Sequence, residues 1–105
     1  MAHEAAAFDA LADGYRREIL AMLRQGDRAV HEIAEELPIS RPAVSRHLRL
    51  LKEAGLVEEE AVGTRHLYRL KAEGVEAVRR YLETVWGEAA TRFRIVAENV
   101  DGEVT

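Results

Sequence analysis

Apolar residues recur along this chain first at steps of three and four, then at steps of two, then again at three and four, and the changes of period predict its elements. Phe8 and Leu11, preceded by three alanines, predict a short helix from about His3 to Ala12, broken by Asp13 and Gly14. Tyr15, Ile19, Met22 and Leu23 give a second helix that stops before Gly26, a residue suited to a left-handed C-terminal cap. Val30, Ile33, Ala34 and Leu37 repeat the pattern through a short third helix. Pro38 ends it, because proline donates no N–H to the ladder and restricts Leu37 before it. Ser40 is a favourable N-cap for a fourth helix that carries Pro42 in its first turn. On that helix Val44, Leu48 and Leu51 form the apolar stripe, Arg41, Ser45, Arg49 and Lys52 share the opposite side, and Gly55 is the stop.

The period then falls to two. Leu56 to Val62 and Arg65 to Leu70, split by Gly63 and Thr64, read as a hairpin. The second run is the clearer strand, since Tyr68 and Leu70 alternate with charged neighbours, whereas the first holds Glu58, Glu59 and Glu60 in a row. From Ala72 to about Glu98 the pattern is helical, with Val75, Val78, Leu82, Val85, Trp86, Ala89 and Phe93 in one stripe. About 26 residues at 1.5 Å each span roughly 39 Å, more than one side of a small domain. Part of the stripe therefore has no intrachain core to cover, and an exposed apolar stripe of this length marks an association surface. The pattern specifies a fold that is mainly α with a small β-hairpin.

A length of 105 residues argues for a single domain, 1–105, with one core. The chain is 48% hydrophobic and 32% charged with 2 prolines, which excludes wholesale disorder, and its six aromatic residues are expected to anchor the core. No apolar run approaches the roughly 18 residues of a membrane span, and no stretch has the layout of a secretory leader. The expectation is a soluble, cytoplasmic chain with no membrane partner. Cysteine is absent, which removes disulfides, thiolate metal sites and cysteine nucleophiles.

The net charge of −4 speaks against a nucleic-acid partner until it is divided along the chain. Residues 1–40 carry a net of −4, residues 41–71 a net of +3, and residues 72–105 a net of −3. The stretch from Arg41 to Lys52 holds four cations, His47 and no acid. One basic block thus lies between two acidic ones, and it coincides with the fourth helix.

That helix closes a second pattern, HEIAEELPISRPAVSRHLRLLKEAGLV. Two short helices joined by a tight turn form a helix-turn-helix, whose second helix offers its outer face to the DNA major groove. Ala34 is small where the helices cross, Ile39 plugs the turn, and Val44 locks the second helix on the first. Arg41, Ser45, Arg46 and Arg49 are left facing outward.

At these residues the chain resembles the ArsR-type winged helix-turn-helix transcriptional regulators. The resemblance rests on SRPAVSRHLRLLKEAGLV, on the wing GTRHLYRL, and on the opening FDALADGYRREILAMLRQGD, and it extends from about Phe8 to Phe93. It implies the order α-α-α-α-β-β-α, with the helix-turn-helix at about 30–54, the wing at about 56–70 and a dimerisation helix at about 72–98. It further implies a homodimer built from the first and last helices through Phe8, Leu11, Val78, Leu82, Val85, Trp86, Ala89 and Phe93. The dimer would place two recognition helices on a pseudo-palindromic double-stranded operator and repress by occluding a promoter. By position, Arg41, Ser45 and Arg46 read bases, while Arg49, His47 and Lys52 reach phosphate further along the helix. Thr64, Arg65 and His66 in the wing face backbone or the adjacent minor groove. Ser40 and Pro42 begin the helix, Ser40 as a cap whose neighbouring amides can also serve phosphate. His47 either covers the helix or contacts phosphate, and Tyr68 packs under the hairpin. The Glu58 to Glu60 run departs from the basic wing strands common in the family, so those carboxylates point away from phosphate or the wing contributes less.

Many members of this family sense metal ions through cysteines, absent here, or through paired His and carboxylate ligands on the last helices. The predicted last helix has no His, and His3, His31, His47 and His66 fall on different elements. The expectation is a metal-independent member with no cofactor, and the sequence names no effector. An enzymatic reading finds no phosphate loop and no nucleophile elbow, and Ser45 and His47, two residues apart on a helix, cannot face each other. The rival reading is a winged-helix protein-interaction module, which has no need for an acid-free basic helix face.

Overall fold

Helix ends fall where side chains satisfy the backbone groups that a helix leaves open. The computed structural model describes the backbone of residues 2–104 and the side chains of 5–87, 91–92 and 95–97. Its elements are α1 (Ala2–Leu11), α2 (Gly14–Gln25), β1 (Arg28–Ala29), α3 (Val30–Glu36), α4 (Arg41–Glu53), β2 (Val57–Val62), β3 (Arg65–Leu70) and α5 (Ala72–Val104). Asp13 caps α2 by accepting the N–H groups of Tyr15 at 2.8 Å and Arg16 at 3.1 Å. Gly26 ends α2 with φ 157° and ψ 167°, a nearly extended geometry in place of the expected left-handed cap. The chain thereby turns directly into a strand.

That strand, β1, is a departure from the two-stranded hairpin. The sheet has three antiparallel strands in the order β1-β3-β2, with Arg28 opposite Tyr68 and Ala29 opposite Leu67. The hairpin pairs Val57 with Leu70 through to Val62 with Arg65, leaving Gly63 and Thr64 as its loop. Gly63 takes φ 63°, as the first position of such a two-residue loop requires.

The core is aliphatic. Ile19 of α2, Ile33 of α3, Val44, Leu48 and Leu51 of α4 and Val57 of β2 are fully buried, with Ala7 and Ala10 of α1 closing one side. The expectation that aromatic residues anchor the core does not hold for most of the rings described. Tyr15, Tyr81 and Trp86 are exposed and Phe8 and Tyr68 are half-buried, while the Phe93 side chain lies outside the described residues. Branched aliphatics fill the narrow space between short crossing helices, and of the described rings Tyr68 packs against them while Tyr15, Tyr81 and Trp86 lie exposed.

Helix α5 has 33 residues, longer than expected, and at 1.5 Å per residue it extends about 50 Å, which stretches the molecule to 67 Å. Among the described residues only its beginning packs on the body. Val78 rests against the core, and Phe8 meets Tyr81 edge-on, with ring centroids 5.1 Å apart. Gly74 crosses the turn at Gly55 so closely that a Cβ there would stand 1.8 Å from the Gly55 carbonyl oxygen. Beyond this root, residues 79–87 are all exposed. Among the described residues no helix is long and apolar enough to cross a membrane.

Candidate nucleic-acid interface

The orientation of α4 is fixed at both ends and along one side. Ser40 Oγ accepts the Ala43 N–H at 3.2 Å, and Pro42 occupies the first turn, where its missing N–H breaks no helical bond. At the other end Gly55, with φ 78°, donates to the Lys52 carbonyl and Leu56 donates to that of Leu51, both at 3.0 Å, closing the helix in a Schellman turn. Burial of Val44, Leu48 and Leu51 then turns Arg41, Pro42, Ser45, Arg46, Arg49 and Lys52 to solvent. Arg41, Arg46 and Arg49 make no ion pair among the described residues.

His47 does not belong to this outer face. It is only 8% exposed, and its Nδ1 lies 3.3 Å from Arg16 Nη1 on α2, with the Tyr15 ring centroid 6.2 Å from its own. Of its two expected roles, this geometry supports the one in which His47 covers the helix and accepts a bond, and not phosphate contact. The spacing carried this information: His47 stands three residues after Val44 and four before Leu51, on the apolar stripe itself.

The wing presents Thr64, Arg65 and His66 at its exposed tip, with its cations already paired. Arg65 bonds Glu32 of α3 at 2.7 Å, Lys52 bonds Glu59 at 3.2 Å, and His66 Nδ1 lies 3.2 Å from the same carboxylate. Arg69 links Asp27 at 3.2 Å to Glu60. The acidic run of β2 is thus the counter-charge of the wing and of the end of α4. The Tyr68 hydroxyl, followed by Lys52, holds the Glu59 carboxyl below its ordinary range, and burial with the Glu59 contact pushes the Tyr68 hydroxyl up to about 12. The Ala29 N–H, which donates to Glu32 at 2.9 Å, and then Arg65 lower the Glu32 carboxyl. Sequence reasoning missed Glu32, because its cationic partner lies 33 residues away.

The expected association residues divide into two groups. Phe8, Leu11 and Val78 are half-buried, the last two against the core, whereas Leu82, Val85 and Trp86 are exposed at 41%, 44% and 69%. Tyr81, Ile95 and Val96 extend the exposed apolar surface and were not anticipated. The side chains of Ala89 and Phe93 lie outside the described residues. Among the described residues no three potential ligand side chains gather at a metal-binding distance.

Comparison with known proteins places this geometry. Residues 13–59 match the family model described as "Bacterial regulatory protein, arsR family". An HTH-type transcriptional regulator of Mycobacterium tuberculosis, Rv2034, is 46% identical over 97 residues, covering 92% of this chain and 88% of the relative. An ArsR-like transcriptional regulator from Rhodococcus superposes with a TM-score of 0.76 at 35% identity, covering 92% of each chain. The homodimeric winged helix-turn-helix DNA-binding domain of a possible ArsR-family regulator from Mycobacterium bovis gives 0.67 at 38% identity, covering 82% of this chain and 80% of that one. With its helix-turn-helix, its paired wing and its long terminal helix matched over nearly their full extent, the chain belongs to the arsR family of bacterial regulatory proteins.

Proposed function

We propose that this chain is a sequence-specific, DNA-binding transcriptional repressor that occupies a pseudo-palindromic operator as a homodimer in the cytoplasm. The observation that carries this reading is the outer face of α4, where Arg41, Arg46 and Arg49 stand exposed and unpaired among the described residues while Lys52 and the wing cations are neutralised. Three unpaired guanidiniums on one helix face suit guanine edges and phosphates, which both accept paired N–H donors. Arg41, Ser45 and Arg46, in the first turns, are assigned to base edges, and Arg49 and Lys52 to phosphate. Ser40 begins the helix with its hydroxyl committed to the Ala43 N–H, and Thr64, Arg65 and His66 bring the wing to the flanking backbone. The exposed apolar face of α5, with Phe8 of α1 at its root, supplies the dimer contact, and two α4 helices then meet half-sites about one DNA turn apart. A dimer seated there excludes other proteins from the same promoter.

The test is a gel-shift titration at two salt concentrations on a duplex that the chain itself retains from fragments of its genome. Binding should weaken as salt rises. Arg46→Ala should relax sequence preference, while Lys52→Ala should weaken all duplexes alike. Salt-insensitive binding, or none at micromolar protein, would leave the protein-interaction reading in its place.

A further inference from the structure

Among the described residues, His47 is the one buried polar side chain, and it lies on the back of the helix that faces DNA. The group it meets is Arg16, whose guanidinium reaches two other elements at once. Arg16 Nε–H donates to the Ala10 carbonyl at 2.8 Å, Nη2–H donates to the Asp9 carbonyl at 3.3 Å, and Nη1 lies 3.3 Å from His47 Nδ1. Asp9 and Ala10 lie in the last turn of α1, where carbonyls have no partner within the helix. Asp13, by capping α2 on the Arg16 N–H, sets the start of that side chain. A guanidinium has only donors, so the bond to His47 needs the lone pair of Nδ1 and places the imidazole proton on Nε2.

We propose that Arg16 and His47 are positioning residues for operator recognition, joining the end of α1 to the back of α4 so that the outward arginines keep a fixed angle to the dimer. The inference rests on the reading of α4 given above. Packing of Val44, Leu48 and Leu51 holds α4 on the body but is non-directional, and a helix on an aliphatic bed can roll or slide slightly at little cost. A bidentate arginine on guanine tolerates no such roll. A directional bond one residue from Arg46 removes that freedom, and its other end is on α1, which packs against the root of α5 through Phe8 and Tyr81. Arg16 thus connects the association side of the molecule to its reading side.

The experiment uses the full chain, a duplex of about 25 base pairs enriched by the wild-type protein from a random-sequence library, and a shuffled duplex of the same composition. Arg16→Gln and His47→Leu are each expected to lose about tenfold on the enriched duplex and less than about twofold on the shuffled one, with the double variant losing no more than either alone. His47→Gln, which keeps an acceptor, should recover most of the loss. Equal losses on both duplexes, additive losses, or no loss would overturn the proposal, as would failure of His47→Gln to outperform His47→Leu. If Arg16→Gln does not fold, the comparison of the two His47 variants decides alone. Enrichment of no duplex by the wild type would overturn the reading of α4 and this proposal with it. Preference lost in Arg46→Ala but kept in Arg16→Gln would overturn this proposal only.

Discussion

Lys52 Nζ of α4 lies 3.2 Å from Glu59 Oε1 of β2, so the last cation of the basic helix is neutralised by the wing before any phosphate arrives. His66 shares the same carboxylate, and Arg65 is held likewise by Glu32. Exposed pairs of this kind contribute about 0 to 1 kcal/mol, so phosphate can displace the carboxylate, but the exchange cancels much of the electrostatic gain. Glu59→Gln is therefore expected to tighten binding to every duplex several-fold and to steepen the dependence of log K on log salt by about one unit. An unchanged slope in a salt titration would show that Lys52 does not face phosphate.

Leu82 and Trp86 project from the part of α5 that leaves the body, so replacing either does not touch the core. Leu82→Asp or Trp86→Asp should give a folded monomer that no longer retains operator DNA. Sedimentation measures this directly, and a stable dimer in either variant places the interface elsewhere.

Gly74 is set against the Gly55 carbonyl, leaving no room for a methyl group. Gly74→Ala should force the root of α5 away from the turn after α4 and destabilise the fold by about 1 to 3 kcal/mol, as overpacking does. A denaturant midpoint equal to that of the wild type would contradict the close approach.

Four carboxyls are held below their ordinary values: Asp13 by the Arg16 N–H, Glu32 by the Ala29 N–H, Glu59 by the Tyr68 hydroxyl and Glu76 by Arg79. A depressed folded-state value contributes stability above the unfolded-state value, and that stability is lost as pH falls through the folded-state one. The contribution should thus be constant above about pH 5 and decline below it. Denaturant midpoints measured against pH should show this limb, and Asp13→Asn should shorten it. An acid limb identical in that variant would remove Asp13 from the group.

The helices were legible because their apolar stripes are long and their ends are marked by Ser40, Pro42 and Gly55. Strand β1 was not, since two residues have no period and their pairing with Leu67 and Tyr68 depends on a strand nearly 40 residues on. At the site, the outward set Arg41, Ser45, Arg46 and Arg49 followed from the position of Val44, Leu48 and Leu51. For His47 two roles stayed open, and its place on the same stripe favours the buried one that the structure shows. Arg16 carried no signal at all, because a guanidinium serving carbonyls on one helix and an imidazole 31 residues away looks in sequence like any surface cation.

The single tryptophan, Trp86, stands outside the core on the free length of α5, 69% exposed. Its fluorescence therefore reports the company of that helix more than the folding of the body. If the proposed dimer contact on α5 is right, emission should move to shorter wavelength as a second helix covers the indole, and stay unchanged with concentration if the interface lies elsewhere. On that proposal, simple dilution of the unlabelled protein would yield its self-association constant, with the aliphatic core silent throughout.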